Sequence, residues 1–209
     1  MKLKQLGIIL IATMIWAKAN AHMVIYKDGL GIMSMSSQEY SQTDVNYSLS
    51  HRIAVLFRHF RWLPEGAIQD DDFETRNIGQ VNVLLKRWNN YDSQGNIYAG
   101  VGYGDHETAS YQFEADWEDR EYYIAAQYQA LDFDVGETME VQKFRVGAAP
   151  YVGKSGDLHS WLILQYAKNT ALEDEDSLTP ILRLFYQTVL MEVGYSFDGD
   201  FNLGLMFHF

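Results

Sequence analysis

Along most of this chain, large apolar residues recur at every second position. In the last stretch Phe201, Leu203, Leu205, Phe207 and Phe209 alternate with Asn202, Gly204, Met206 and His208. A period of two puts each set on its own face of a strand. Val189, Met191, Val193, Tyr195 and Phe197 alternate in the same way with Leu190, Glu192, Gly194 and Ser196. Between these runs, Asp198-Gly199-Asp200 reads as a tight hairpin turn. Three more apolar faces follow the rule: Ile97 to Tyr103, Tyr111 to Trp117, and Tyr122 to Ala130, each taken at alternate positions. Val45, Tyr47 and Leu49 form another.

Extended over the chain, the alternation predicts strands at 29–36, 40–49, 52–62, 76–89, 96–103, 108–117, 121–131, 138–150, 157–167, 179–186, 189–197 and 201–209. That is a count of twelve. Strong turn residues are missing around 50–51, 118–120 and 187–188, and merging two or four pairs there would leave ten or eight strands. Ile53–Phe60 and Val81–Trp88 also fit a helical period in part. Neither has an N-cap followed by a full helical length, so both read as strands.

Composition narrows the class. At 209 residues the chain has the length of one domain, and 47% hydrophobic with 14% aromatic residues is too rich for a disordered chain. Lys and Arg number 16 against 28 Asp and Glu, for a formal charge of -12, so no nucleic acid is expected as a partner. Cysteine is absent, which excludes disulfides, thiolate metal sites, cysteine nucleophiles and cysteine lipidation.

The first 21 residues have the pattern of an export signal. Lys2 and Lys4 precede the apolar run Leu6–Ala17, and Ala19-Asn20-Ala21 supplies small residues around a cleavage point. The run is short for a spanning helix, which needs about 20 apolar residues. Cleavage after Ala21 would leave 22–209 as the mature domain. It removes lysines and no acid, so the mature chain is more acidic than the whole.

An exported chain ending on an apolar strand closed by Phe209 resembles the bacterial outer-membrane β-barrel proteins, of an uncharacterised small proteobacterial type. The resemblance rests on the C-terminal hairpin and extends over 29–209; the stretch Asn82–Asn89 also resembles such barrels. It implies an all-β fold, a closed antiparallel transmembrane β-barrel, in the outer membrane of a Gram-negative-type cell. It further implies Phe209 as part of the membrane assembly signal, and lipid, lipopolysaccharide and the barrel assembly machinery as partners. In lipid every backbone amide needs an internal partner, so strands must close on themselves. Trp62, Trp88, Tyr103 and Trp117 suit an interfacial aromatic girdle. An even strand number places both termini in the periplasm, with the long connections 63–75 and 168–178 outside. The connections 90–95, 151–156 and 187–188 are then short periplasmic turns. The chain is far shorter than a general diffusion porin, which argues against a broad pore.

With apolar faces toward lipid, the other faces line a lumen, because charge facing lipid is costly. Lys86, Glu114, Asp116, Lys143, Arg145, Arg183 and Glu192 are the expected lumen charges. Two acidic runs, Asp70, Asp71, Asp72 and Glu74, then Glu173, Asp174, Glu175 and Asp176, fall in the long outer loops. Asp132, Asp134 and Glu137 fall in a third. They read as a solvated acidic surface, and no EF-hand spacing accompanies them.

Signals of chemistry are few. No G-x-S-x-G, H-E-x-x-H or P-loop pattern is present. His159 and Ser160 are adjacent and so point to opposite faces. His208 faces inward with Glu192 on the neighbouring strand, but no serine stands clearly beside them. Gly100, Gly102 and Gly104 read as relief of crowding inside a barrel. His22-Met23, Met33 and Met35 hint at a soft metal, since thioethers suit Cu(I); the overall methionine content is ordinary, and neither a metal nor another cofactor is expected. The leading reading is a small barrel of structural, interaction or restricted-transport role, not an enzyme. A narrow channel for small polar or cationic solutes, favoured by the acidic mouth, is one alternative. A lipid-modifying enzyme is another, and a secreted soluble β-sandwich a third.

Overall fold

The computed structural model describes residues 23–37, 40–63, 73–133, 138–154, 156–170 and 176–209. The strands are β1 (Leu30–Ser36), β2 (Tyr40–Ser48), β3 (Ile53–Trp62), β4 (Glu74–Asn89), β5 (Gln94–Gly104), β6 (Ala109–Glu118), β7 (Tyr122–Asp132), β8 (Thr138–Ala148), β9 (His159–Asn169), β10 (Asp176–Tyr186), β11 (Val189–Tyr195) and β12 (Phe201–His208). Each pairs antiparallel with its sequence neighbours, and β1 pairs with β12 to close the wall. The fold is a closed, antiparallel, twelve-stranded β-barrel. Closure leaves no free strand edge, which is what a lipid surround demands of backbone amides.

The turns that lack strong sequence signals are made by other means. Ser50 Oγ accepts from the backbone N–H of Arg52 and Ile53 at 3.2 and 3.1 Å, which bends β2 into β3. Asp119 Oδ1 does the same for Glu121 and Tyr122 at 2.7 and 2.6 Å between β6 and β7. Such side-chain caps mimic a backbone turn. Between β10 and β11 only Gln187 and Thr188 intervene, and Gln187 takes φ of 54°, the left-handed region.

The outer face is apolar in a band. Val55, Phe57, Val81, Val101, Phe113, Ile124, Phe144, Val146, Leu162, Leu164 and Leu182 all face outward. Aromatic residues rim the band. Tyr47, Trp88, Trp117, Tyr122, Tyr186 and Phe209 lie at the end that carries the C-terminus, and Tyr103, Tyr111, Tyr166, Tyr195 and Phe201 lie at the other. Trp62, expected in the girdle, is instead 5% exposed inside the barrel. In β3 the inward set is Ala54, Leu56, Arg58, Phe60 and Trp62, so the parity that buries Arg58 also turns Trp62 inward.

Two other expectations need correction. A β-bulge in β4 shifts the register between Leu84 and Lys86. Lys86 therefore pairs with outward-facing Ile97 and lies exposed on the outer face, while Arg87 takes the inward position opposite Asn96. An extra residue flips every side chain that follows it. The connection between β8 and β9 runs from 149 to 158 and is not a short turn. Within it Tyr151 Oη donates to the Leu158 carbonyl at 2.6 Å, and Arg120 Nη2, from the turn between β6 and β7, donates to the Gly153 carbonyl at 3.0 Å. The long-outside, short-inside asymmetry is thus incomplete.

Candidate functional site

The lumen is divided lengthwise into a filled half and an open half. On the filled side, at the end away from the C-terminus, Phe60 and Trp62 of β3 and Ile78 of β4 pack with Leu131 of β7 and Met139 of β8. Trp62 stacks on Phe60 and on Phe133, each with ring centroids 5.3 Å apart, and the Arg76 guanidinium lies over Trp62 at 5.1 Å. β3 and β8 are well separated around the wall, so this cluster bridges the bore.

At mid-height the same side is filled by polar side chains. Arg58 Nε and Nη2 donate to the two Asp44 carboxylate oxygens at 2.9 Å each, and the pair is 1% and 3% exposed. Arg58 Nη2 also donates to Gln112 Oε1 at 3.2 Å, and Gln80 Nε2 reaches that oxygen at 3.0 Å. Ser110 donates to Gln80 Oε1 at 2.9 Å. Gly100 makes the layer fit: a Cβ there would lie 2.6 Å from Gln80 Nε2 and would collide with Asn82 Oδ1. The glycine run is indeed a place where side chains from β4 lie flat over β5.

Nearer the C-terminal end, the chain before β1 turns into the mouth. Met23 and Val24 pack on Ala54, Leu84 and Tyr98, and Val24 is fully buried. Asn46 Nδ2 donates to the Met23 carbonyl at 2.7 Å, and the Ile25 N–H donates to Ser48 Oγ at 3.1 Å. Beside this strap, Arg87 donates to Asn96 Oδ1 at 2.6 Å and to Tyr98 Oη at 3.1 Å, and Asn96 donates to Asp116 Oδ1 at 2.7 Å. Sequence reading missed the strap, because its short apolar run carries no period, and missed Arg87, because a bulge leaves no mark in composition.

Among the described residues, the open side holds a cavity of about 120 Å³ and a smaller one of about 20 Å³. The larger has room for several waters or a small solute. Both are lined by Met35, Lys143, Arg145, Glu192 and Gly204, which form a neck between them. Arg145 Nη1 donates to both Glu192 oxygens at 3.3 and 3.2 Å, and Arg183 Nε to Oε1 at 2.7 Å. Arg145 is steadied by Gln165 at 2.7 Å, and Arg183 stacks on Tyr123 at 4.5 Å. Lys143 Nζ reaches Tyr40 Oη at 3.4 Å. One carboxylate between two guanidiniums, with an ammonium nearby, leaves the neck net positive.

Of the expected lumen charges, Lys143, Arg145, Arg183 and Glu192 meet at this neck, Glu114 lines the larger cavity, and Asp116 belongs to the Asn96 cluster on the other side. Lys86 is on the outer face. Of the acidic loop residues, Asp70, Asp71, Asp72, Glu173, Asp174 and Glu175 lie outside the described residues, as do Asp134, Glu137 and His22. Glu74 pairs with Arg76 at 3.0 Å, and Asp176 accepts from Tyr166 Oη at 2.6 Å. Phe209 is exposed, and its backbone exchanges hydrogen bonds with Leu30 at 3.0 and 2.8 Å. His208 faces the lumen, but Glu192 stands opposite Gly204 and its carboxylate is held by arginines. Ser160 is buried, and the His159 ring packs beside Phe185 at 6.3 Å.

No protein-family model matches the chain, and no curated protein matches it. Among solved structures, the barrel is similar to the KdgM porin in complex with disordered oligogalacturonate, at 11% identity and a TM-score of 0.50, covering 87% of this chain and 99% of that one. The KdgM porin alone is similar at 10% identity and the same TM-score and coverage. The NanC porin matches at 8% identity and a TM-score of 0.46, covering 85% of this chain and 98% of that one. The chain is thus a twelve-stranded β-barrel similar in fold to the KdgM porin. The likeness is one of fold.

Proposed function

We propose that the protein is a narrow outer-membrane channel that passes small polar solutes carrying a negative group along the open side of its lumen. The observation that carries this reading is the neck: Lys143, Arg145 and Glu192 line both cavities and join them. A passage flanked by low-dielectric walls concentrates counter-ions of the sign opposite to its lining. The lining of the larger cavity has Arg58, Lys143, Arg145 and Arg183 against Asp44, Glu114 and Glu192. This favours anionic over cationic solutes and sets aside the cationic preference suggested by the acidic loops. The KdgM porin, a barrel of like fold, was solved with oligogalacturonate, an acidic sugar chain, which accords with this reading. Residues 1–21 act as the export signal in this proposal, and 22–209 form the barrel. Its outer face sits in lipid and lipopolysaccharide after insertion by the barrel assembly machinery, for which Phe209 is the signal.

Planar-bilayer recording of the refolded chain tests the reading. Discrete openings with a reversal potential favouring anions are expected, and replacing Lys143 and Arg145 with Glu should reverse the preference. A bilayer that stays silent under all voltages would mean a sealed barrel and overturn the channel.

A further inference from the structure

Methionine side chains gather around the larger cavity. Among the described residues, methionine occurs at 23, 33, 35, 139, 191 and 206, and four of these (Met23, Met33, Met35 and Met206) line that single cavity. Of the others, Met139 packs in the aromatic cluster and Met191 stands on β11 between lumen-facing Leu190 and Glu192. The gathering is produced by closure. Met33 of β1 stands directly opposite Met206 of β12 in the seam, although the two lie near opposite ends of the sequence. Directly opposed residues on one face have their Cβ atoms about 5 Å apart. One step along the same face, His208 stands opposite Gly31, and its imidazole lies over that glycine: a Cβ there would be 3.7 Å from Nε2. His208 lines the same cavity and is 4% exposed. Met23 arrives from a different direction, on the strap whose carbonyl Asn46 holds at 2.7 Å.

We propose that Met33, Met206, Met23 and His208 form a binding site for a soft monovalent metal ion, Cu(I) or Ag(I), on the β1–β12 wall of the lumen. Thioethers and imidazole are the donors that such ions select, and unbranched methionine has the reach and freedom to close around one. Leucine would fill the same volume without offering a donor. The charge of the ion follows from the surroundings. The donors are neutral, and the cavity already carries a slight excess of Arg and Lys, so a divalent ion would meet twice the repulsion with no ligand charge to offset it. A hard or borderline ion also lacks its donors: among the described residues no group of three His, Asp or Glu is placed to hold a metal. The site needs only the folded cavity and is independent of whether the lumen conducts.

The test uses the detergent-folded chain with methionine methyls labelled with carbon-13, titrated with Ag(I) under chloride-free conditions. The expected result is saturable shifts of the Met33, Met206 and Met23 methyls at one equivalent, with Met139 and Met191 unmoved. The double variant Met33→Leu/Met206→Leu, which conserves volume, should weaken Ag(I) and bicinchoninate-competed Cu(I) by at least about tenfold, the lower end of what disturbing a metal's supporting groups costs. No shift in the native protein would overturn the site, as would equal shifts at Met191. An unchanged affinity in the double variant would do so too. Bilayer conductance recorded without metal keeps a failure here distinct from a failure of the channel reading.

Discussion

At the scale of single residues, the inner wall is decided by a few side chains whose neighbours leave no slack. Arg58 and Asp44 are buried together, and each satisfies the other's charge. Removing one partner of such a pair leaves an unpaired charge, so Arg58→Ala should destabilise the barrel by about 3–5 kcal/mol, measured as a lower urea midpoint for unfolding in micelles. Arg58→Met, of similar length, leaves Asp44 just as exposed to the loss and should fare no better. Gly100 is the counterpart in volume. Gly100→Val would drive two methyls into the space of Asn82 and Gln80 and should cost about 1–3 kcal/mol through overpacking. The alternation that predicted an inward position for most lumen charges was legible in the sequence. The partners of those charges were not, because Arg145 of β8 meets Glu192 of β11 with two strands between them.

Elements add what individual positions cannot. The β5–β6 connection is held by Asp105, whose carboxylate accepts from the Asn77 backbone N–H and side chain at 2.8 Å each. Partial burial works to raise its pKa, but the Asn77 hydrogen bonds, with His106 and Arg76 nearby, outweigh burial and hold it below the ordinary value. A depressed carboxylate stabilises the fold above its unfolded pKa, about 3.9, and that contribution is lost as pH falls through the lower folded value. The protection factor of the Asn77 amide, its exchange relative to the intrinsic rate at each pH, should therefore fall only below about pH 4, and Asp105→Asn should abolish this acid step. The strap before β1 is the second such element. Val24→Asp would place a carboxylate among Ala54, Leu84 and Tyr98, an apolar setting that penalises its charge. The strap should leave the mouth while the strands persist, and single-channel conductance should rise. Unchanged conductance would mean that the strap does not narrow the path. The sequence showed β4 as one strand, but its bulge at Leu85, which turns Lys86 out and Arg87 in, depends on how β4 meets β5.

For the molecule as a whole, closure is the property on which the others rest. β1 and β12 pair from Gly31 with His208 to Ser36 with Leu203. Deleting Phe201–Phe209 would open that seam and expose unpaired amides on β1 and β11, which lipid does not tolerate. The truncated chain should fail to give the compact, heat-modifiable band expected of the intact barrel in unboiled detergent gels, and should aggregate instead. Closure also gathers groups distant in the chain: the Met33–Met206 pair at the seam exists only because the wall returns on itself, and the curvature that closes it brings Arg145 of β8 to Glu192 of β11.

What the amino-acid order settled alone was the local part: a period of two, turns at most of their places and alternating apolar faces, with the strand count open at twelve, ten or eight until closure fixed it at twelve. These follow from geometry that each residue shares with its immediate neighbours. Tertiary structure decided which half of the bore is filled, where Trp62 and Lys86 point, and which charges meet at the neck. Those outcomes depend on side chains brought together from strands far apart in sequence, and pairing across a closed wall has no periodic trace in the chain.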